Sequence, residues 1–202
     1  MIDLTQYNTI IFDFGGVILD INPELSINAF KKYGGEAGMK KIEESDILWQ
    51  FERGEIDVKT IHEGICKYIG ATLSEDEFIN YWCALLLEYK PKRIEKIKEL
   101  AKTHKLIMLS NTNEIHFAYF SQKLKDEYGI TFNDLFSEVY LSHEMGLVKP
   151  DKAIYEQVIK EQNLIPEQTL FIEDTLANAK AAEDIGIKTL VIPRNGSFYD
   201  YF

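Results

Sequence analysis

Thr9-Ile10-Ile11-Phe12-Asp13-Phe14-Gly15-Gly16 is the stretch whose reading decides the fold. Its β-branched and aromatic residues over Thr9–Phe14 suit a short buried strand, and the glycine pair opens it into a loop. Working outward, the same arrangement recurs. Leu106–Leu109 runs into Ser110-Asn111-Thr112-Asn113, Leu170–Ile172 into Glu173-Asp174, and Thr189–Ile192 stops at Pro193. Glu138–Leu141 is one more short candidate. Helical patterns lie between these runs. Pro91–Thr103 repeats apolar residues at Ile94, Ile97 and Leu100, Lys152–Gln162 follows Pro150-Asp151, and the Ala-rich Leu176–Ile185 stops at Gly186. Alternating strands and helices predict an α/β fold, a parallel sheet covered on both faces. Ligands of such sheets bind beyond the carboxyl ends of the strands. Here those ends carry Asp13, Ser110-Asn111 and Glu173-Asp174.

Residues 23–90 read differently. Four helices are predicted, over Pro23–Tyr33, Met39–Gln50, Asp57–Ile69 and Ser74–Leu87, with no clear strand. Ser74-Glu75-Asp76-Glu77 has the spacing of a capping box, and Gly34-Gly35 and Gly54 punctuate the run. A helical block inserted after the first strand implies a lid-like subdomain.

Composition narrows the function. The chain has 202 residues and a net charge of −11. Such an acidic chain, with no basic stripe, is a poor partner for nucleic acid or an anionic membrane surface. No stretch approaches the roughly 18 apolar residues that span a bilayer. The start, MIDLTQYN, lacks the basic and apolar regions of a secretory signal. Cys66 and Cys83 are the only cysteines and fit no zinc spacing, so both read as reduced apolar residues of a cytoplasmic protein. If the substrate is a phosphate ester, the overall field repels it, and the site must supply its own positive charge.

Taken singly, the candidate residues have ordinary explanations. Asp13 reads as a turn residue or as a carboxylate held at a sheet edge, with glycines that let a ligand approach the backbone. Ser110-Asn111-Thr112-Asn113 reads as a helix cap or as a phosphate-binding helix start. Lys149 reads as a solvated lysine or as the required fixed cation. Glu173-Asp174 beside Asp13 would repel unless a cation lies between them, and hard oxygen ligands favour Mg²⁺.

In order and placement the segments FDFGGVILD, IMLSNTNEIH, GLVKPDKAIY and FIEDTLANAKAAEDIGI, which begin at Phe12, Ile107, Gly146 and Phe171, resemble the four motifs of the haloacid dehalogenase superfamily. The resemblance implies a Rossmann-like parallel-sheet core over residues 1–21 and 91–202, with an inserted α-helical cap over residues 22–90. It also implies a Mg²⁺-dependent hydrolase. Asp13 would attack phosphorus and form an aspartyl-phosphate that water hydrolyses. Mg²⁺ would be held by the Asp13 carboxylate, the Gly15 carbonyl and Asp174, with Glu173 acting through water. Ser110 and the Asn111 backbone would bind the phosphoryl oxygens, and Lys149 would pair with both the phosphate and Asp13. LSNTN, His116, LVKPD and the ending Asp200-Tyr201-Phe202 are similar to sugar-phosphate phosphatases of the glucose-1-phosphate type.

One position departs from the pattern. Gly15 stands where most phosphatases of the family carry a second Asp, which protonates the leaving oxygen and later activates water. General acid–base help is worth roughly 10²–10⁴-fold. Its loss favours a leaving oxygen of low basicity, as in a sugar-1-phosphate. Asp20 and His116 are possible substitutes, though both read first as structural residues.

In Trp49-Gln50-Phe51-Glu52-Arg53-Gly54-Glu55, Trp49 and Phe51 read as cap core, or the segment reads as a selecting loop with Arg53 as an extra phosphate donor. His62, His104 and His143 have no partner at ligand spacing. The expected partner is a small phosphorylated metabolite, and the expected assembly a monomer or homodimer. A dehalogenase, a phosphonate hydrolase using Lys40, Lys41 or Lys59, and a catalytically weak phosphate-binding protein are the competing readings.

Overall fold

The computed structural model describes residues 1–202. Its chain order is β1 (Thr9–Phe12), β2 (Leu19–Ile21), α1 (Pro23–Glu44), α2 (Ile47–Glu52), α3 (Val58–Ile69), α4 (Glu75–Cys83), β3 (Leu86–Tyr89), α5 (Pro91–Leu100), β4 (Lys105–Ser110), α6 (Glu114–Tyr128), β5 (Glu138–Leu141), α7 (Ser142–Met145), α8 (Lys152–Gln162), β6 (Thr169–Glu173), α9 (Leu176–Glu183) and β7 (Lys188–Val191). The main sheet is parallel, in the order β5-β4-β1-β6-β7. β1 is central, so all four of its residues are buried. That explains its unbroken apolar run.

Alternate residues of each strand feed two cores. Ile10, Phe12 and Met108 pack with Ile94 and Ile97 of α5 and with Phe120 and Leu124 of α6. Ile11, Ile107 and Phe171 pack on the other face with Ile154, Tyr155 and Val158 of α8 and Ala182 of α9. The expected helices on both faces are thus present.

Within residues 22–90 the helices pack through Phe30, Ile61, Ile65, Ile69 and Phe78, all buried. Ser74 and Glu77 form the anticipated capping box. Two expectations need correction. Met39–Gln50 is not one helix: α1 runs through the Gly34-Gly35 pair, with a kink at Gly35, and continues to Glu44, and α2 begins at Ile47. Gly34 is needed for packing, since a Cβ there would lie 2.7 Å from the Ile69 Cα of α3. Ser74–Leu87 is not all helix, because α4 ends at Cys83 and Leu86–Tyr89 forms β3, antiparallel to β2. The apolar pattern runs on past Cys83, so only pairing with a strand 65 residues earlier distinguishes the two states.

No helix is long and apolar enough to cross a membrane. Gly54 ends the α2 turn at φ +66, and a Cβ there would lie 2.1 Å from the His143 carbonyl oxygen of α7. Only glycine allows the inserted block to sit this close to the core.

Candidate active site

The register of the sheet brings distant residues together. Phe12 lies opposite Met108 on one side and Ile172 on the other. The next residues, Asp13, Leu109 and Glu173, therefore emerge side by side at the carboxyl edge. Asp13 donates its backbone N–H to the Ile172 carbonyl at 2.9 Å, which fixes its start in the loop.

Lys149 reaches this edge from the loop before α8 and is 1% exposed. Its Nζ donates to Asp13 Oδ1 at 2.6 Å, to the Leu109 carbonyl at 2.9 Å and to Glu173 Oε2 at 3.0 Å. All three protons are used, so the ammonium has one position. The Asn111 side chain clasps the Lys149 backbone, donating from Nδ2 to its carbonyl and accepting its N–H at Oδ1, both at 2.8 Å. Ser110 is buried, and its hydroxyl makes only one long contact, 3.4 Å to the Asn111 carbonyl.

Glu173 is fully buried. Oε1 accepts from the backbone N–H groups of Asp174 and Thr175, and Oε2 from Lys149 and from Asn178 Nδ2. Four donors make it the organiser of the loop. Asp174 accepts from Arg194 Nε at 2.7 Å on Oδ2 and from the Thr175 hydroxyl at 3.0 Å on Oδ1. Gly16 has φ +83, and a Cβ there would lie 2.6 Å from Asp174 Oδ2. The second glycine of the opening stretch thus leaves room for this carboxylate.

Asp13, Glu173 and Asp174 each present an oxygen within 4.8 Å of the others. The cleft they face, about 510 Å³, is also lined by Trp49, Glu52, Lys149 and Arg194. The three clustered carboxylates against Lys149 and Arg194 leave an excess of one negative charge, before Glu52 is counted. Burying that excess is unfavourable without a further cation, and the donors are hard oxygens, so a magnesium ion fits them.

Burial pushes the Asp13 carboxyl up, to about 7, against the pull of the Lys149 ammonium. Burial also works against the charge on Lys149, but Asp13 and Glu173 hold it above the ordinary lysine range.

Asp13, Asn111, Lys149, Glu173, Asp174 and Gly15 all line the cleft, and Ser110, buried next to Asn111, does not. Arg53 does not line it, which corrects the expectation of an extra phosphate donor. Its guanidinium is held by Glu55 at 2.6 Å and Asp46 at 2.7 Å. One face of α2 presents Trp49 and Glu52, three residues apart, to the cleft, while Arg53, which caps the helix, turns toward Asp46 and Glu55. Trp49 is therefore a cleft residue, 45% exposed, whereas Phe51 is core. Sequence reading also missed Asn178, which lies inside the quoted fourth segment but was given no role, and Arg194, which lies outside all four segments and is recruited by folding alone.

The possible stand-in acids are committed elsewhere. Asp20 is ion-paired with Arg93 at 2.7 Å and Lys90 at 3.0 Å. His116 Nε2 donates to the Trp82 carbonyl at 3.0 Å, and Nδ1 accepts from Asn113 Nδ2 at 3.2 Å. Lys40, Lys41 and Lys59 do not line the cleft. A groove of about 560 Å³ by Gly54 and His143 shares no residue with the cleft.

Known proteins are similar to this chain in sequence and in structure. D-ribitol-5-phosphate phosphatase of Bacteroides thetaiotaomicron is 29% identical over 191 residues, covering 93% of this chain and 92% of its own. A sesquiterpene phosphatase of Aspergillus oryzae is 29% identical over 183 residues, covering 91% and 88%. A Bacteroides thetaiotaomicron enzyme of the haloacid dehalogenase family, solved in complex with magnesium and inorganic phosphate, superposes with a TM-score of 0.90 at 27% identity, covering 97% of this chain and 99% of its own. The model of the haloacid dehalogenase-like hydrolases matches residues 7–186. With that match extending from before β1 into the turn after α9, the chain belongs to the haloacid dehalogenase-like hydrolase family.

Proposed function

We propose that this chain is a magnesium-dependent phosphatase of small sugar or polyol phosphates, with Asp13 as the nucleophile and residues 22–90 as its cap. The observation that carries the reading is the buried Asp13–Lys149 pair, 2.6 Å apart, at the edge of a three-carboxylate cluster. Lys149 fixes the direction of the Asp13 carboxylate and offers a permanent cation to an incoming phosphoryl group. Asp13, the Gly15 carbonyl and Asp174 would hold magnesium, with Glu173 acting through water. When bound, the ion neutralises charge on the cluster and on the substrate phosphate. Ser110 and the Asn111 backbone provide donors for phosphoryl oxygens at the start of α6.

The substrate class rests on the relatives, one of which acts on ribitol 5-phosphate. Gly15 supports a finer reading, a preference for sugar-1-phosphates, whose leaving oxygen is weakly basic. Comparing kcat/KM for matched sugar-1- and sugar-6-phosphates tests it, and equal values remove it.

The acidic pair Glu173-Asp174 argues against a metal-free dehalogenase. A phosphonate hydrolase that forms a Schiff base has no cap lysine in the cleft to use. The two reduced cysteines suit a cytoplasmic setting.

A second reading has its own observation. A pocket of about 200 Å³ in the inserted block, lined by Phe30, Met39, Ile42, Leu48 and Trp82, meets the cleft at Glu52. It could seat an apolar tail, and one relative is a sesquiterpene phosphatase. A panel containing sugar, polyol and isoprenoid monophosphates separates the two.

The test of the whole reading is that panel with Mg²⁺, run on the native chain and on Asp13→Asn. The variant should lose more than about 10³-fold in kcat. Retained hydrolysis would show that Asp13 is not the nucleophile.

A further inference from the structure

Cleaving an alkyl phosphate requires a proton for the leaving oxygen. Four carboxyl groups line the cleft: Asp13, Glu52, Glu173 and Asp174. Asp13 is paired with Lys149 and is needed as the nucleophile. Glu173 is saturated by four donors. Asp174 is bound by Arg194 and Thr175. The remaining titratable groups there, Lys149 and Arg194, are cations already donating to carboxylates. Asp20 and His116 are held outside the cleft.

Glu52 is the exception. Its side chain makes no hydrogen bond or ion pair with any protein group, although it lies at the last position of α2, half-buried between the cleft and the apolar pocket. An unpartnered carboxyl on an apolar wall is costly to keep charged. Burial pushes it up to about 7, with Lys149 pulling the other way. At neutral pH it is thus divided between acid and base, the condition that suits proton transfer in both directions.

We propose that Glu52, reaching across from the inserted helices, is the general acid and base of this hydrolase. The inference rests on the phosphatase reading above. In the first step an Asp13 carboxylate oxygen bonds to phosphorus, the bond from phosphorus to the alkoxide oxygen breaks, and that oxygen takes the proton from the Glu52 carboxylic acid. In the second step the Glu52 carboxylate accepts a proton from water while the water oxygen bonds to phosphorus. The Asp13–phosphorus bond breaks, releasing inorganic phosphate and restoring both carboxyl groups. The acid that Gly15 cannot provide is therefore carried on a different element, one residue before Arg53.

Because α2 also contacts the core through Gly54 and His143, the position of the inserted block sets the distance between Glu52 and Asp13. With Glu52 as the acid, the preference for sugar-1-phosphates expected from Gly15 alone is weakened in the native chain and emerges when Glu52 is replaced. With the acid in place a basic leaving oxygen is tolerated, and without it the weakly basic one is favoured.

The experiment compares two substrates in each preparation: the best sugar or polyol monophosphate of the panel, and p-nitrophenyl phosphate, whose leaving group departs without a proton. The ratio of the two kcat/KM values does not depend on the folded fraction, so a poorly folding variant still reports. In Glu52→Gln and Glu52→Ala the ratio should fall by about 10²–10⁴-fold, nearly all of it from the alkyl substrate. An unchanged ratio, whether both activities persist or both decline together, overturns the role of Glu52. A native chain that hydrolyses neither substrate with Mg²⁺ defeats the phosphatase reading itself.

Discussion

Lys149 shows how one residue can carry the geometry of a site. A buried ammonium is unfavourable unless its protons are met, and here three oxygens from three chain segments meet them. Removing any one partner would leave charge exposed to an apolar interior, which is why Asn111 is used to clamp the backbone beneath it. His116 presents the opposite case, a titratable group kept neutral. Burial pushes its pKa down to about 4, only partly offset by the Trp82 carbonyl. An unfolded histidine titrates near 6.5. Between these values the unfolded chain binds a proton that the folded chain refuses. The His116 contribution to stability is therefore intact above about 6.5 and is lost as pH falls toward about 4. Urea unfolding at pH 7 and pH 4.5 should show the native chain losing on the order of 1–2 kcal/mol more than His116→Gln over that interval. Equal losses would mean the ring is not protected as described.

The short antiparallel pair of β2 and β3 joins the inserted helices to the core, and Arg93 of α5 locks it. Arg93 is 2% exposed and donates to the Ile18 carbonyl, to Asp20, and to the carbonyls of Asn195 and Gly196. It ties the first strand of the pair to the loop after β7, which also carries Arg194. Asn195 adds a second tie, accepting from the Ile21 N–H and donating to its carbonyl. Arg93→Met would leave Asp20 and three carbonyls without their partner in a largely dry site. It should cost about 3–5 kcal/mol, read as a lower urea midpoint at an unchanged slope. A cost below about 1 kcal/mol would show that water or Lys90 replaces it.

The negative charge of the whole molecule continues into the site, which is why a cation is needed there. The chain carries −11, and the cleft itself is lined by four carboxyl groups and only two cations. A divalent cation that binds only the folded state should stabilise it by mass action. At Mg²⁺ about 100 times its Kd the gain is about 2.7 kcal/mol, or a rise in Tm of roughly 5–10 °C for a chain of this size. Asp174→Asn should abolish the rise while leaving the fold intact. A thermal melt with and without Mg²⁺ reads both, and an undiminished rise in the variant would remove Asp174 from the metal site.

Much of the core was legible along the chain. β1, β4, β5, β6 and β7 lie where short β-branched runs meet polar tips, because a central parallel strand must be apolar on both faces. The acid at 13, the Ser-Asn pair at 110 and 111, the lysine at 149 and the acidic pair at 173 and 174 stand at strand ends or in the loops beside them, where chemistry collects in such a sheet. Local pattern therefore determined the fold class and most of the residues around Asp13. What it could not determine depended on contacts between remote segments. β3 exists only because Leu19–Ile21 is there to pair with it. Arg53 was displaced from the site because Asp46 and Glu55 hold it, and the turn of α2 presents Glu52 instead. Arg194, from the loop after β7, reaches Asp174 across 20 residues. Periodicity reports which face of an element is buried; which side chain of an exposed face looks into a cleft is decided by how one packed block sits on another, and that orientation has no signature within a single segment.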